Sequence, residues 1–242
     1  MATNPVERGS VPCLTTMKSM CTLFLFCFCL SAASVVQAAD TVSKTDPDAQ
    51  AVRQALTQAV DVAVSQLGRT DGYWSNPQVR IPLPEELRHL EKTLRRVGLE
   101  RYVVEFDESL NRAAEEAVPA AKPVLVAAIR ELSLRDAVDI VRGGDDAATR
   151  YFRYHSDAVL RERLQPIVAQ AMSRVQVAAA YKRLMKKSAF LDKAAEPGHL
   201  DLDAYVTRET VNGLYLLMAE EERRIRRDPL ARSTELLKSV FR

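Results

Sequence analysis

Cysteine, aromatic residues and an excess of charge of either sign are all scarce in this 242-residue sequence. The four cysteines are confined to the first 29 residues, and aromatic residues make up only 6% of the chain. Lys and Arg (34) nearly balance Asp and Glu (32), so the chain has no long-range attraction for nucleic acid. Since 47% of the residues are hydrophobic and 27% are charged, the composition excludes a disordered or collagen-like chain.

The first 38 residues have the pattern of a secretory signal peptide. Lys18 precedes an apolar run over residues 20–30, and small residues follow up to Ala38. This run is shorter than the roughly 20 residues that a membrane-spanning helix needs. Val36 and Ala38 place small side chains at the two positions that a signal peptidase must accept, so we expect cleavage after Ala38.

All of the cysteines precede this cleavage site, so the mature chain is expected to have no disulfide and no catalytic thiol. A lipid anchor would need small residues just before a cysteine, whereas Cys27 follows Phe26 and Cys29 follows Phe28. We therefore expect a periplasmic or secreted protein that is not a lipoprotein and has no transmembrane segment in its mature chain. The cysteines are Cys13, Cys21, Cys27 and Cys29.

The rest of the chain has the periodicity of helices. After a polar leader over residues 39–46, apolar residues recur at three- and four-residue steps, and no alternating strand pattern occurs. The sequence predicts a single all-α domain over residues 47–242, folded as a compact multi-helix bundle with no β-sheet. The stretch from Val211 to Ala219 holds apolar residues on almost every side, which predicts a central buried helix.

Glycine and proline set the predicted helix boundaries. Gly68 and Gly98 are expected to end the first two helices. Pro119 is expected to end a third helix, and Pro123 lies in the first turn of the next one. Pro166 is expected to kink or split a helical stretch that runs on to about residue 190, because proline removes an amide donor.

Helical periodicity disappears between residues 69 and 84, where turn-forming residues cluster. This loop carries the only tryptophan, Trp74, together with Asn76 and Arg80, a combination that suits a sugar or peptide ligand. Alternatively, Trp74 and the apolar residues of the loop pack on the bundle and seal its end, which is the interpretation we favour. The apolar residues are Val79, Ile81 and Leu83.

The helix predicted after residue 145 has arginines on its polar face. Arg150 follows Asp146 by four residues and Arg153 precedes Asp157 by four, so each arginine is predicted to form a surface ion pair. Alternatively Arg150 or Arg153, with Tyr151 beside them, faces a cleft and binds a carboxylate or a phosphate.

Three other patterns are weaker signals of a site. Gly143-Gly144 could place backbone amides around an anion, but Asp145 repels an anion and is predicted to cap the following helix. His155-Ser156-Asp157 cannot form a catalytic relay, because neighbours on a helix point about 100° apart. His199 and Asp201 supply at most two metal ligands, so we expect no metal and no cofactor.

An acidic run followed by a basic run ends the last long helix. Glu220 with Arg224, and Glu222 with Arg226, have the i, i+4 spacing and the order that favour ion pairs. We therefore expect a solvated, internally paired helix end. The alternative is a patch for anionic lipid or for a protein partner.

Several strings resemble a known bacterial family, in order along the chain from about residue 51 to residue 241. The sequence resembles the domain-of-unknown-function family 4197. This resemblance implies an exported protein, assigns no cofactor and carries no activity over to any residue. The strings are Asn76–Pro84, Asn111–Glu115, Gly143–Arg153, Ala219–Glu222 and Ala231–Phe241.

We expect a non-catalytic binding or interaction module of the bacterial cell envelope, with an envelope protein, a peptide or a lipid as partner. The alternative is a periplasmic enzyme of hydrolase type that uses carboxylates such as Glu115, Glu116 or Glu220. Two convergent carboxylates in a cleft would favour the enzyme, and a continuous apolar groove would favour lipid or peptide binding. The candidate ligand-binding residues are Trp74, Asn76, Arg80, Arg150, Tyr151 and Arg153.

We predict that the exported protein begins at Ala39 and contains no cysteine, because Val36 and Ala38 define the best cleavage position. Amino-terminal sequencing of the periplasmic fraction from cells expressing the full chain checks this. A mature chain that begins with a lipid-modified Cys27 or Cys29 would contradict the prediction.

Overall fold

The computed structural model of the chain describes residues 46–135, 137–191 and 200–241. Within these ranges the chain forms eight α-helices and no strand, which confirms the all-α prediction. The predicted signal peptide, nearly all of the polar leader, and His199 lie outside the described residues. The helices are α1 (Pro47–Leu67), α2 (Arg88–Arg96), α3 (Glu100–Glu131), α4 (Ala137–Arg142), α5 (Ala147–Arg174), α6 (Val177–Leu191), α7 (Leu202–Arg227) and α8 (Glu235–Val240).

Helix α7 forms the centre of the bundle and packs against α1, α3 and α5. The helix is buried on several sides around Leu214 and Met218, as the apolar stretch in the sequence predicted. Among the described helices, none is both long enough and apolar enough to cross a membrane.

Helix α1 presents an apolar face to α7, and its ends are defined by local hydrogen bonds. The Asp46 side chain accepts from the Asp48 amide, and Pro47 occupies the first turn, where its missing N–H costs nothing. At the other end, the Gly68 amide donates to the Val64 carbonyl at 2.9 Å. The predicted end of the helix at Gly68 is therefore confirmed.

Helix α3 continues through both of its prolines, so the predicted break at Pro119 and restart at Pro123 were wrong. A proline inside a helix costs roughly 3 kcal/mol, which packing of α3 against α1 and α5 must offset. The Pro119 ring packs beside Gly68: a β-carbon added to Gly68 would lie 2.9 Å from Pro119 Cγ. The glycine at the end of α1 thus makes room for the proline ring.

Helix α5 likewise contains Pro166 in its interior, and the chain is not split there. The break falls instead after Arg174, where Gln176 adopts a positive φ of 59° before α6 begins. A non-glycine residue in this left-handed region marks a tight turn imposed by the surrounding structure. The sequence predicted an interruption in this stretch but placed it ten residues too early.

We predict that Gly213→Leu lowers the free energy of unfolding by about 1–3 kcal/mol or more, since it overpacks the centre of α7. A β-carbon at Gly213 would lie 2.7 Å from Cε1 of the buried Tyr73 ring. Urea denaturation measures the change. Gly144→Leu is the control, because a β-carbon there would meet only the end of the Arg150 side chain, at 3.3 Å. Equal stability of Gly213→Leu and wild type would contradict the packing argument.

Candidate functional site

Two buried polar side chains of α3 hold the loop over residues 69–84 in place. The Asn111 side chain accepts from the Ile81 amide at 2.8 Å and donates to the Ile81 carbonyl at 3.0 Å. One turn later, Glu115 Oε1 accepts from the amides of Tyr73 and Trp74, each at 3.0 Å. Because Asn111 and Glu115 are four residues apart, both face the loop and fix it at two points.

Tyr73 connects this loop to the central helix. Its side chain is fully buried, and its hydroxyl donates to the Thr210 carbonyl of α7 at 2.7 Å. Burial, with the nearby Glu115 carboxylate, raises the pKa of Tyr73 well above its usual value. The phenol therefore stays protonated and acts as a permanent donor.

The loop also covers the core with apolar side chains, as the packing interpretation predicted. Val79, Ile81 and Leu83 are buried, whereas Trp74 is half-buried. The Arg80 guanidinium lies 3.7 Å from the centre of the Trp74 ring and forms an ion pair with Asp107 of α3 at 2.7 Å.

Burial raises the pKa of Asp107, although Arg80 opposes this effect. Asn76 has a local role, because its side-chain oxygen accepts from the Gln78 amide at 3.1 Å. Arg80 and Asn76 thus both contribute to the conformation of the loop.

The three candidate residues on α5 have separate partners. Arg150 pairs with Asp146 at 2.7 Å, as predicted. Tyr151 donates to the Ser133 carbonyl at 2.5 Å. Arg153 was predicted to pair with Asp157 but instead donates to the Asn212 side chain of α7 at 3.1 Å.

Asp157 pairs with Arg161 on the next turn of α5, at 2.8 Å. Spacing alone did not distinguish the two arginines that flank this carboxylate by four residues. The six candidate ligand residues thus contact different parts of the fold: Trp74, Asn76 and Arg80 lie on the loop, and Arg150, Tyr151 and Arg153 lie on α5.

The start of α5 does hold an anion, and that anion is the buried carboxylate of Glu222. Its two oxygens accept from the amides of Ala148 and Thr149, at 2.9 and 2.7 Å. The predicted cap at Asp145 was wrong: Asp146 precedes the helix, and its side chain makes no capping hydrogen bond. A carboxylate from α7 satisfies these amides in its place.

The acidic and basic run of α7 is more buried than the sequence suggested. Glu222 pairs with Arg226 at 2.8 Å, as predicted. Arg224 pairs with Glu221 at 2.6 Å, so the predicted pair with Glu220 was wrong. Glu221 and Glu222 are both buried, which corrects the expectation of a fully solvated helix end.

A cavity of about 500 Å³ lies between α3, the start of α6 and the end of α1. This volume is within the range of small-molecule sites. Four glutamates and two arginines line it, so the lining carries a formal charge of −2 in a chain whose total is +2. The charged residues are Glu105, Glu108, Arg112, Glu115, Glu116 and Arg183.

Arg112 is the central cation of this cavity. Its guanidinium bonds to Asp71 and Glu115, each at 2.8 Å, and to Glu108 at 3.1 Å. Burial lowers the pKa of Arg112, but the hydrogen bonds that it donates to these carboxylates raise its pKa overall. One guanidinium thus forms ion pairs with three carboxylates, so an excess of negative charge remains around it.

Two further ion pairs connect the cavity walls. Arg183 of α6 pairs with Glu105 of α3, and Arg174 at the end of α5 pairs with Glu116 at 2.5 Å. Sequence reasoning missed the four residues Glu105, Glu108, Arg112 and Arg183. Helical spacing along α3 could have indicated the first three, whereas the approach of α6 depends on the tertiary fold.

Glu115 and Glu116 line the same cavity, whereas Glu220 lines a different one. The structure therefore does not bring together the three carboxylates that were named as examples for the alternative, an enzyme. Both oxygens of Glu115 are already used, one by the loop amides and the other by Arg112. Its position indicates a structural role in the cavity wall.

We predict that Asn111→Ala lowers the free energy of unfolding by at least about 2 kcal/mol, because it leaves the Ile81 amide and carbonyl without their partner. Arg80→Ala is the control. It removes an ion pair whose arginine is 41% exposed, so we expect a loss below about 1 kcal/mol. Urea denaturation compares the two variants, and equal losses would contradict the assignment of Asn111 as the main anchor.

Comparison with known proteins identifies the family to which the chain belongs. A family model described as a protein of unknown function, DUF4197, matches residues 42–242. No curated protein and no solved structure matches the chain. The match agrees with the resemblance found in the sequence strings and spans most of the sequence, so the chain belongs to the DUF4197 family.

Proposed function

We propose that this protein is a non-catalytic binding module of the bacterial cell envelope, and that the cavity between α3 and α6 binds an amine or guanidinium group. The observation that supports this proposal is the lining of the cavity, whose four glutamates and two arginines give a formal charge of −2. A cavity with one sign of excess charge attracts ligands of the opposite sign. The signal-peptide pattern of the first 38 residues supports the assignment to the envelope.

Glu105 and Glu108 are the groups best placed to meet a cation. Their side chains are 45% and 42% exposed, and they lie three residues apart on the same face of α3. Arg112 holds Glu108 through one carboxylate oxygen, so this acid is oriented before the ligand arrives. A ligand ammonium would contact the carboxylates through charge-assisted hydrogen bonds.

Glu115 supports binding indirectly. Only 5% of its side chain is exposed, and it joins the loop amides to Arg112. This favours a rigid wall over a proton-transferring pair, since a catalytic carboxylate needs an oxygen that reaches the substrate. The cavity is thus better suited to holding a ligand than to acid–base chemistry.

We predict that the mature chain binds spermidine and tri-lysine in a saturable manner, and that the double substitution Glu105→Gln, Glu108→Gln weakens this binding. The loss of each partly exposed charge should reduce the affinity about two- to fivefold. Isothermal titration calorimetry measures binding by wild type and by the double variant. Succinate tests the charge preference, because an excess of it should not compete with either amine for this cavity.

Glu131→Gln is the matched control, because Glu131 is an exposed acid at the far end of the same helix. It should bind both amines as wild type does. If tri-lysine binds and spermidine does not, the ligand is a basic peptide rather than a free polyamine. Equal affinities of wild type and the double variant, or no saturable binding of either amine, would overturn the proposal.

A further inference from the structure

A second group of charged side chains lies between α5 and α7. Arg153 and Arg161 both donate from Nη2 to the same atom, Oδ1 of Asn212, at 3.1 and 3.4 Å. Since both nitrogens lie within hydrogen-bonding distance of one oxygen, a single small oxyanion could contact both guanidiniums. A neutral amide oxygen is a weaker acceptor for a guanidinium than a carboxylate or phosphate oxygen.

The charges of this group do not cancel. Asp157 pairs with Arg161 at 2.8 Å, whereas Arg153 forms no ion pair with any carboxylate of the described residues. Glu209 lies close to Asn212, whose amide nitrogen is 3.4 Å from it, but this carboxylate already pairs with Arg208 at 2.9 Å. One guanidinium, that of Arg153, is therefore left without a counter-charge.

The ring of a buried tyrosine lies beside Arg153, and the hydroxyl of this tyrosine provides a further observation. The Arg153 guanidinium carbon lies 5.3 Å from the centre of the Tyr215 ring. Tyr215 is only 3% exposed, and neither its hydroxyl nor Oδ1 of Asp157 has a hydrogen-bond partner among the described residues. Buried polar atoms without a protein partner are rare in folded proteins, and an ordered water, an ion or a bound group satisfies such atoms.

We propose that Arg153 and Arg161 form an oxyanion-binding site for a carboxylate or phosphate group, which takes the place of the Asn212 oxygen. The planar guanidinium suits such groups because its donors match two anion oxygens. Of the two α5 arginines that the sequence singled out, Arg150 already has Asp146 as its partner. This site has the opposite charge preference from the α3–α6 cavity and does not depend on the proposed function.

Sodium phosphate and sodium succinate test this site, with sodium chloride used to keep the ionic strength constant. At ten times its dissociation constant, a bound anion should raise the melting temperature of wild type by about 3 °C. Arg153→Ala and Arg153→Lys should abolish this shift, since lysine lacks the planar pair of donors. Arg150→Ala is the matched control on the same helix and should keep the full shift.

Asn212→Asp separates an oxyanion site from a purely structural contact. It places a carboxylate between the two guanidiniums, so it should raise the melting temperature without added anion and remove the response to phosphate. A shift with phosphate alone, or with succinate alone, identifies the class of ligand. The proposal is overturned if wild type shows no shift with either anion, or if Arg153→Ala and Asn212→Asp respond as wild type does.

Discussion

The buried carboxylate of Glu115 is the interaction on which the loop and the cavity both depend. One oxygen accepts from two consecutive loop amides, and the other accepts from Arg112. A buried charge is tolerated only when it is paired and hydrogen-bonded, and here three donors satisfy it. The same contacts place Tyr73 against α7 and Arg112 in the cavity wall. The conformation of the loop and the charge of the cavity are therefore coupled through one residue.

Glu222, near the carboxyl end of α7, is a second buried carboxylate that backbone amides and an arginine satisfy. Its carboxylate accepts from the first amides of α5 and pairs with Arg226, which in turn donates to the carbonyls of Ile140 and Val141 at the end of α4. Three helices thus meet around a single ion pair. Because Glu222 is buried and only 9% of the Arg226 side chain is exposed, the removal of either one would leave an uncompensated charge, which commonly costs several kcal/mol.

The helices that the sequence predicts best are those with a simple apolar stripe. The face of α1 and the buried middle of α7 follow directly from apolar spacing, because burial of one helical face dominates the energetics of a bundle. Local rules failed where tertiary packing opposed them. Pro119 and Pro123 lie inside α3 since its packing outweighs the cost of a proline, and the room beside Gly68 is visible only in the fold.

Ion pairs were predicted with mixed success for a related reason. Spacing correctly predicted the ion pairs Arg150–Asp146 and Glu222–Arg226. Asp157 has an arginine four residues away on either side, and it pairs with Arg161. Both arginines also donate to Asn212 of α7, so spacing within α5 alone could not predict which of them pairs with Asp157. The sequence identified only Glu115 and Glu116 of the cavity lining, because the lining combines α3 with α6 and with residues just after α1 and α5 that are distant in sequence.

The net charge of this protein, which is near zero, therefore does not predict the charge of its individual surface regions. The composition excludes a strong long-range field, yet glutamates gather on one face of α3, and two arginines meet at one oxygen between α5 and α7. Screening restricts each excess charge to about 8–10 Å at physiological salt. A ligand of either proposed site would therefore be recognised by short-range contacts, which requires rigid positioning of the kind that Glu115 gives to the cavity wall.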